Sequence, residues 1–269
     1  MDRITTHGMH MDKLGLGTWK MKGPECTAAV SHALSIGYRH IDTAEMYGNE
    51  AEVGTALATV SRADVHLTSK VWYEHLAPDA MDRAIDATLA RLGTDYVDLY
   101  LIHWPAPGMD VPGAVGALRA VLDSGRARAI GVSNFTVAVL NEACALAPIA
   151  CNQAEYHVLL DQTKLLAACR AHGVALAAYA PLAQGRLAEH EELAAIAHKH
   201  SATPAQVALK WLLDQDGVCA IPKAIRPESQ AANLDALRIV LDDDDRAVIA
   251  MLPKGRRFVQ PGWAPVWDR

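Results

Sequence analysis

No apolar run in this chain approaches the roughly 20 residues that a membrane helix needs, so a bilayer-spanning protein is not expected. Positive charge is not in excess. Lys and Arg number 25 against 31 Asp and Glu, and the formal net charge of −6 gives no electrostatic reason to expect nucleic acid or an anionic membrane as a partner. The five cysteines, Cys26, Cys144, Cys151, Cys169 and Cys219, are odd in number, widely spaced and without a CxxC pair, which fits reduced packing residues better than disulfides or zinc ligands. Of the 12 histidines, pairs such as His198 and His200 lie on a polar stretch with no carboxylate or cysteine partner in view; they read as solvated, and no metal is expected. The stretch from Met1 to His7 lacks the apolar region and small-residue cleavage site of a leader, which points to a cytoplasmic location. Internal linkers are missing too, with no Pro/Gly/Ser-rich tract and no charge block, so residues 1–269 read as one domain. Walker A is absent. Gly15-Leu16-Gly17-Thr18-Trp19-Lys20 fails as a GxGxxG fingerprint, because Lys20 stands at the third glycine position.

What is present is alternation. Eight short apolar runs read as strands: Leu14 to Gly17, Tyr38 to Asp42, Val65 to Lys70, Val97 to His103, Arg128 to Ser133, Ala150 to Glu155, Ala175 to Tyr179 and Val218 to Pro222. Helical patterns separate them, with starts of capping-box type at Asn49 with Glu52 and at Thr203 with Pro204 and Gln206. Strand and helix repeated in this way predict an α/β fold, a (β/α)8 TIM barrel. Ile4 to Met11, with Gly8 in the middle, is expected to form an N-terminal β-hairpin plugging the bottom. Two helices fit between Leu182 and Gly217, and the acidic run Asp242 to Asp245 opens another. The tail from Pro253 to Arg269 holds Pro261, Gly262, Trp263, Pro265 and Trp267 without helical period, and reads as a C-terminal loop over the active-site face.

Ionisable residues stand where the apolar runs end, which is where a barrel of this kind keeps its chemistry. Asp42, Lys70 and His103 close three runs, and Tyr47 follows Asp42 on the next loop. Together they would make a proton donor whose pKa the neighbours tune. Ser133, Asn134, Gln153, Tyr179, Lys223 and Arg226 follow at the later strand ends. That row of hydroxyl, amide, aromatic and cation suits a nicotinamide ring and a phosphate.

These motifs taken together resemble the aldo-keto reductase family. Gly37-Tyr38-Arg39-His40-Ile41-Asp42-Thr43-Ala44 leading to Tyr47-Gly48-Asn49-Glu50 is similar to its first signature, and Leu101-Ile102-His103-Trp104-Pro105 to its second. Gly131-Val132-Ser133-Asn134-Phe135, Ile221-Pro222-Lys223 and the ending Trp263-Ala264-Pro265-Val266-Trp267-Asp268 carry the likeness to the C-terminus, nearest to small bacterial reductases of the diketogluconate and methylglyoxal type. The resemblance implies NADPH-dependent reduction of small-molecule aldehydes and ketones to alcohols, with methylglyoxal, diketogluconate and aromatic aldehydes as examples. Tyr47 would be the general acid, Lys70 would lower its pKa, Asp42 would hold Lys70, and His103 would orient the carbonyl.

By the same carry-over Tyr179 would stack on nicotinamide, with Ser133, Asn134 and Gln153 on its carboxamide. Thr18 and Lys20 would lie near the same end, and Ala180, Leu182 and Gln184 would belong to a loop over the pyrophosphate. Lys223 would meet the ribose phosphate and Asn233 the adenine, while Trp19, Trp72 and Trp104 would line the substrate pocket. Ala224, Ser229 and Ala232 stand where the family usually has a serine, an arginine and a glutamate, so NADH is expected as a weaker alternative, with Arg226 in partial compensation. A monomer is the expected state. The rival readings are a noncatalytic cofactor-binding barrel and a hydrolase using Asp42 with Glu45 as paired carboxylates.

Overall fold

The computed structural model describes residues 2–268 of the chain. Eight parallel strands form one sheet in sequence order: β3 (Leu16–Gly17), β4 (His40–Asp42), β5 (His66–Val71), β6 (Val97–Ile102), β7 (Ala127–Ser133), β8 (Ile149–Glu155), β9 (Ala175–Tyr179) and β10 (Val218–Ala220). Closure comes from backbone bonds between the first and last staves. Gly15 N–H donates to the Ala220 carbonyl at 2.9 Å, and Ala220 N–H to the Lys13 carbonyl at 2.7 Å. At this seam Gly17 is required, because a Cβ there would stand 2.7 Å from the Ile221 carbonyl oxygen. The barrel predicted from eight apolar runs is therefore the fold. Strand ends differ from expectation by a residue or two, as hydrogen bonding sets them more tightly than hydrophobicity does.

Helices between the strands are α1 (Gly23–Ser35), α2 (Glu50–Leu57), α3 (Pro78–Leu92), α4 (Val111–Asp123), α5 (Val137–Leu146), α6 (Thr163–Ala171), α7 (Glu191–Lys199) and α8 (Pro204–Leu213), and α9 (Pro227–Asp235) and α10 (Asp243–Met251) follow the last strand. Their buried faces follow helical spacing. In α3, Met81, Ala84, Ile85, Thr88, Leu89 and Leu92 face the sheet. Proline sits in the first turn of α1, α3, α4, α8 and α9, where its missing N–H costs nothing. Capping boxes open α8 at Thr203 with Gln206, as predicted, and α10 at Asp242 with Asp245.

Two expectations are corrected. Asn49 makes no capping bond to α2; its side-chain amide instead donates to the carbonyls of Thr18 (2.9 Å) and Met21 (3.1 Å) and accepts from the Thr43 hydroxyl (2.8 Å). It ties the loops after β3 and β4 together. His200 is not left to solvent, since Asp245 of α10 lies 2.7 Å from its Nε2. At the bottom, β1 (Arg3–Thr6) and β2 (Met9–Asp12) pair antiparallel and insert Met9 and Met11, each 1% exposed, beneath a lumen of Leu99, Leu101, Ala129, Cys151 and Ala177. The hairpin is the plug that the sequence predicts.

Candidate active site

The upper ends of β4, β5 and β6 bring Asp42, Lys70 and His103 into one wall, and a short 3-10 turn over Glu45–Tyr47 folds Tyr47 back onto them. Lys22 holds that turn by donating to the Tyr47 carbonyl. The Lys70 ammonium has three donors and three partners. They are Asp42 Oδ1 at 2.5 Å, the Thr43 carbonyl at 2.8 Å and the Tyr47 hydroxyl at 3.3 Å. The other Asp42 oxygen accepts from Gln153 Nε2 at 2.7 Å, and its backbone carbonyl takes both the N–H and the hydroxyl of Thr18 at 3.0 Å. All four members of the predicted set are buried.

Burial also sets their protonation. Desolvation, with the Asp42 charge next, holds the Tyr47 phenol well above its ordinary value, so the expectation that Lys70 lowers it is reversed in the net. The ammonium is nearer Asp42 than Tyr47, and its charge is largely answered there. Lys70 itself is lowered by burial against the pull of Asp42. His103 is pushed well below the usual imidazole range, by burial first and by Lys70 second, which leaves a neutral ring with one N–H to give at neutral pH. Its Nδ1 is buried and has no partner among the described residues.

The later strand ends form a second web. The Tyr179 hydroxyl donates to Asn134 Oδ1 at 2.7 Å, and Asn134 Nδ2 donates to the His103 carbonyl at 3.0 Å and to Ser133 Oγ at 2.9 Å. Asn134 takes a left-handed backbone, φ 64°, to make these reaches. The loop after β9 is bent in the same sense, with Ala180, Ala183 and Gln184 all at positive φ although none is glycine.

A cavity of about 1130 Å³ opens between these webs. Asp42, Tyr47 and His103 form its floor with Ser133, Asn134, Gln153 and Tyr179; Lys20, Ala180, Leu182, Gln184 and Lys223 lie along its length. Trp19, Trp72 and Trp104 line it as expected. Thr18 and Lys70 stand behind the wall, fully buried, and Arg226 and Asn233 are outside the lining. Trp263, with ring centroids 4.9 Å from Tyr73 and 5.0 Å from Trp104, completes an aromatic side that sequence reasoning assigned only generally to the tail. Thr203 to Ala205, expected only as a helix start, and Phe258 to Pro261, read only as part of the tail loop, also line the cavity, and none was named as a site residue. Their types carry no chemical signal; the loops bring them there.

Glu45 is committed elsewhere, accepting from the Trp72 N–H at 2.9 Å and lying 2.8 Å from His75 Nδ1. Asp42 lines the cavity and Glu45 does not, so the two carboxylates are not offered together to a substrate as a paired-carboxylate hydrolase requires.

The aldo/keto reductase family model matches residues 13–252. The methylglyoxal reductase DkgB of Salmonella typhimurium is 41% identical over 268 residues, covering 97% of this chain and 100% of that one. An aldo-keto reductase of Mycolicibacterium smegmatis is 42% identical over 266 residues, covering 95% of each. A solved structure provisionally named 2,5-diketo-D-gluconic acid reductase B superposes with a TM-score of 0.96 at 40% identity, covering 100% of this chain and 98% of the other.

Proposed function

The chain belongs to the aldo/keto reductase family, an oxidoreductase by that membership, and from this we propose that it reduces small aldehydes and ketones with NADPH, Tyr47 supplying the proton. The observation that carries the reading is the buried Asp42–Lys70–Tyr47 chain facing a large cavity beside a neutral histidine.

The donor set fits a nicotinamide dinucleotide. An aromatic ring at Tyr179, amides at Asn134 and Gln153 and a hydroxyl at Ser133 stand beside the Tyr47 end, and the Lys223 cation stands exposed on the same lining. Lys20, Ala180, Leu182 and Gln184 would flank its middle; Arg226 and Asn233 stand outside the lining. The bound cofactor would supply the hydride. The chain's own work is the proton. A carbonyl oxygen gaining negative charge needs an acid within hydrogen-bond reach, and a phenol kept protonated by burial and by Asp42 is such an acid at any pH near neutrality. The Lys70 ammonium, 3.3 Å from that phenol, favours the phenolate once the proton leaves. His103 would give its N–H to the same oxygen and orient it.

Similarity to a methylglyoxal reductase and to a provisional diketogluconate reductase supports small, oxygen-rich carbonyls as substrates, and the tryptophan-lined side supports aromatic aldehydes. We further take one domain, a monomer and a cytoplasmic setting as the working state. The test is loss of NADPH absorbance with methylglyoxal. Tyr47→Phe should lower kcat roughly a hundredfold or more with NADPH binding retained; equal rates in the variant and the wild type would rule the acid role out.

A further inference from the structure

After α10 the described residues form neither helix nor strand, yet Phe258, Val259, Pro261 and Trp263 wall the cavity. No side chain in residues 253–268 is fully buried, so hydrophobic burial alone holds this strap weakly. Beneath it lies a carboxylate that the proposed chemistry does not use. Glu155, the last residue of β8, is 0% exposed; Oε1 accepts the Phe258 N–H at 2.7 Å and Oε2 the Val259 N–H at 3.0 Å. His157 Nε2 is 3.1 Å from Oε1, Arg257 stands 3.7 Å from Oε2, and the Glu155 carbonyl is pinned by Gln162 Nε2 at 2.7 Å.

The far end of the strap has a second carboxylate anchor. Asp268 Oδ2 accepts the N–H of Val137, the first residue of α5, at 2.9 Å. Residues 260–267 therefore run between two acid anchors, and Trp263 within the span packs against Trp72, Tyr73 and Trp104. We propose, resting on the reductase reading above, that Glu155 is a positioning residue: its buried carboxylate latches the strap over the cavity and so sets the aromatic wall that larger carbonyl substrates need. A glutamine at the same place keeps the shape but turns an N–H toward one of the two strap donors, leaving it unpaired. Small carbonyls that reach Tyr47 and His103 without touching Trp263 would not sense the change; aromatic ones would.

The experiment compares wild type, Glu155→Gln and Asp268→Ala, the last altering an exposed residue outside the barrel. Native trypsin cleavage after Arg256 and Arg257 reads strap opening without any turnover. It should accelerate about tenfold in Glu155→Gln, the effect of losing one or two backbone hydrogen bonds, and less in Asp268→Ala. KM for 4-nitrobenzaldehyde should rise roughly fivefold while kcat for methylglyoxal stays within about twofold. Unchanged cleavage in Glu155→Gln, or equal losses on both substrates, overturns the proposal. Should the wild type reduce neither aldehyde, the reductase reading falls, and cleavage still decides the latch: faster supports it, unchanged refutes it. Should Glu155→Gln not fold, Glu155→Asp, which keeps the charge but draws the carboxylate back from the Phe258 and Val259 N–H groups, decides by the same cleavage assay.

Discussion

Gln153 reaches from β8 to donate to Asp42 at the end of β4, 2.7 Å away, so the acid that anchors Lys70 is itself held from the opposite side of the barrel. Gln153→Met keeps the volume and removes the donor. Hydrogen bonds to charged groups are worth about 1.5–3 kcal/mol, and a loss of that size should appear as a lowered urea midpoint. An unaltered midpoint would mean that Asp42 finds another donor.

The pH dependence of reduction follows from Tyr47. Its phenol is raised above the ordinary value of about 10 by burial and Asp42, so the acid form persists through neutrality. The rate should stay level from about pH 7 to 9 and fall only beyond about pH 10. A steady-state profile descending near pH 8 would show that another group limits it.

Stability has the opposite exposure to acid. His40, His66 and His103 are all held below the ordinary imidazole value, burial being the leading cause in each. Unfolded histidines take up protons near about pH 6.5 while these do not, so the unfolded state binds more protons below that point. Stability is therefore whole above about 6.5 and drains as pH falls, by up to about 1.4 kcal/mol per pH unit for each histidine until its folded value is reached. Thermal melts from pH 8 to 5 should show the slope, and His66→Leu should reduce it.

At the cofactor end, Lys223→Ala should weaken NADPH binding roughly fivefold and leave NADH nearly untouched, since an exposed ion pair is worth at most about 1 kcal/mol and NADH lacks the phosphate. Fluorescence titration with both cofactors checks it. An equal loss for both would remove Lys223 from the phosphate.

The seam gives a steric prediction. Gly17→Ala places a methyl 2.7 Å from a backbone oxygen that cannot swing away, and overpacking of this kind costs about 1–3 kcal/mol. Chemical denaturation reads the loss directly.

Much of this was legible in the residues, for a physical reason: strands buried on both faces are written as unbroken apolar runs, so their ends mark where Asp42, Lys70 and His103 emerge. Asn49 was misread because a cap and a loop tie use the same residue type, and the carbonyls it serves, Thr18 and Met21, lie about thirty positions back. The Tyr47 shift was misread in sign because a neighbouring charge shows in a motif, whereas burial shows only in the fold. Glu155 was invisible as an anchor, its partners being plain backbone N–H groups 103 and 104 residues away.

The hairpin plug has one more consequence. Met9 and Met11 stopper the lower end of the lumen, and Lys70, whose hydrogen bond to the Tyr47 hydroxyl is the one side-chain path for a proton among the described residues, is itself fully buried. Proton traffic to Tyr47 must then run through the upper mouth, past whatever occupies it, so the ligands that are to react also regulate when the spent phenolate can be recharged from water.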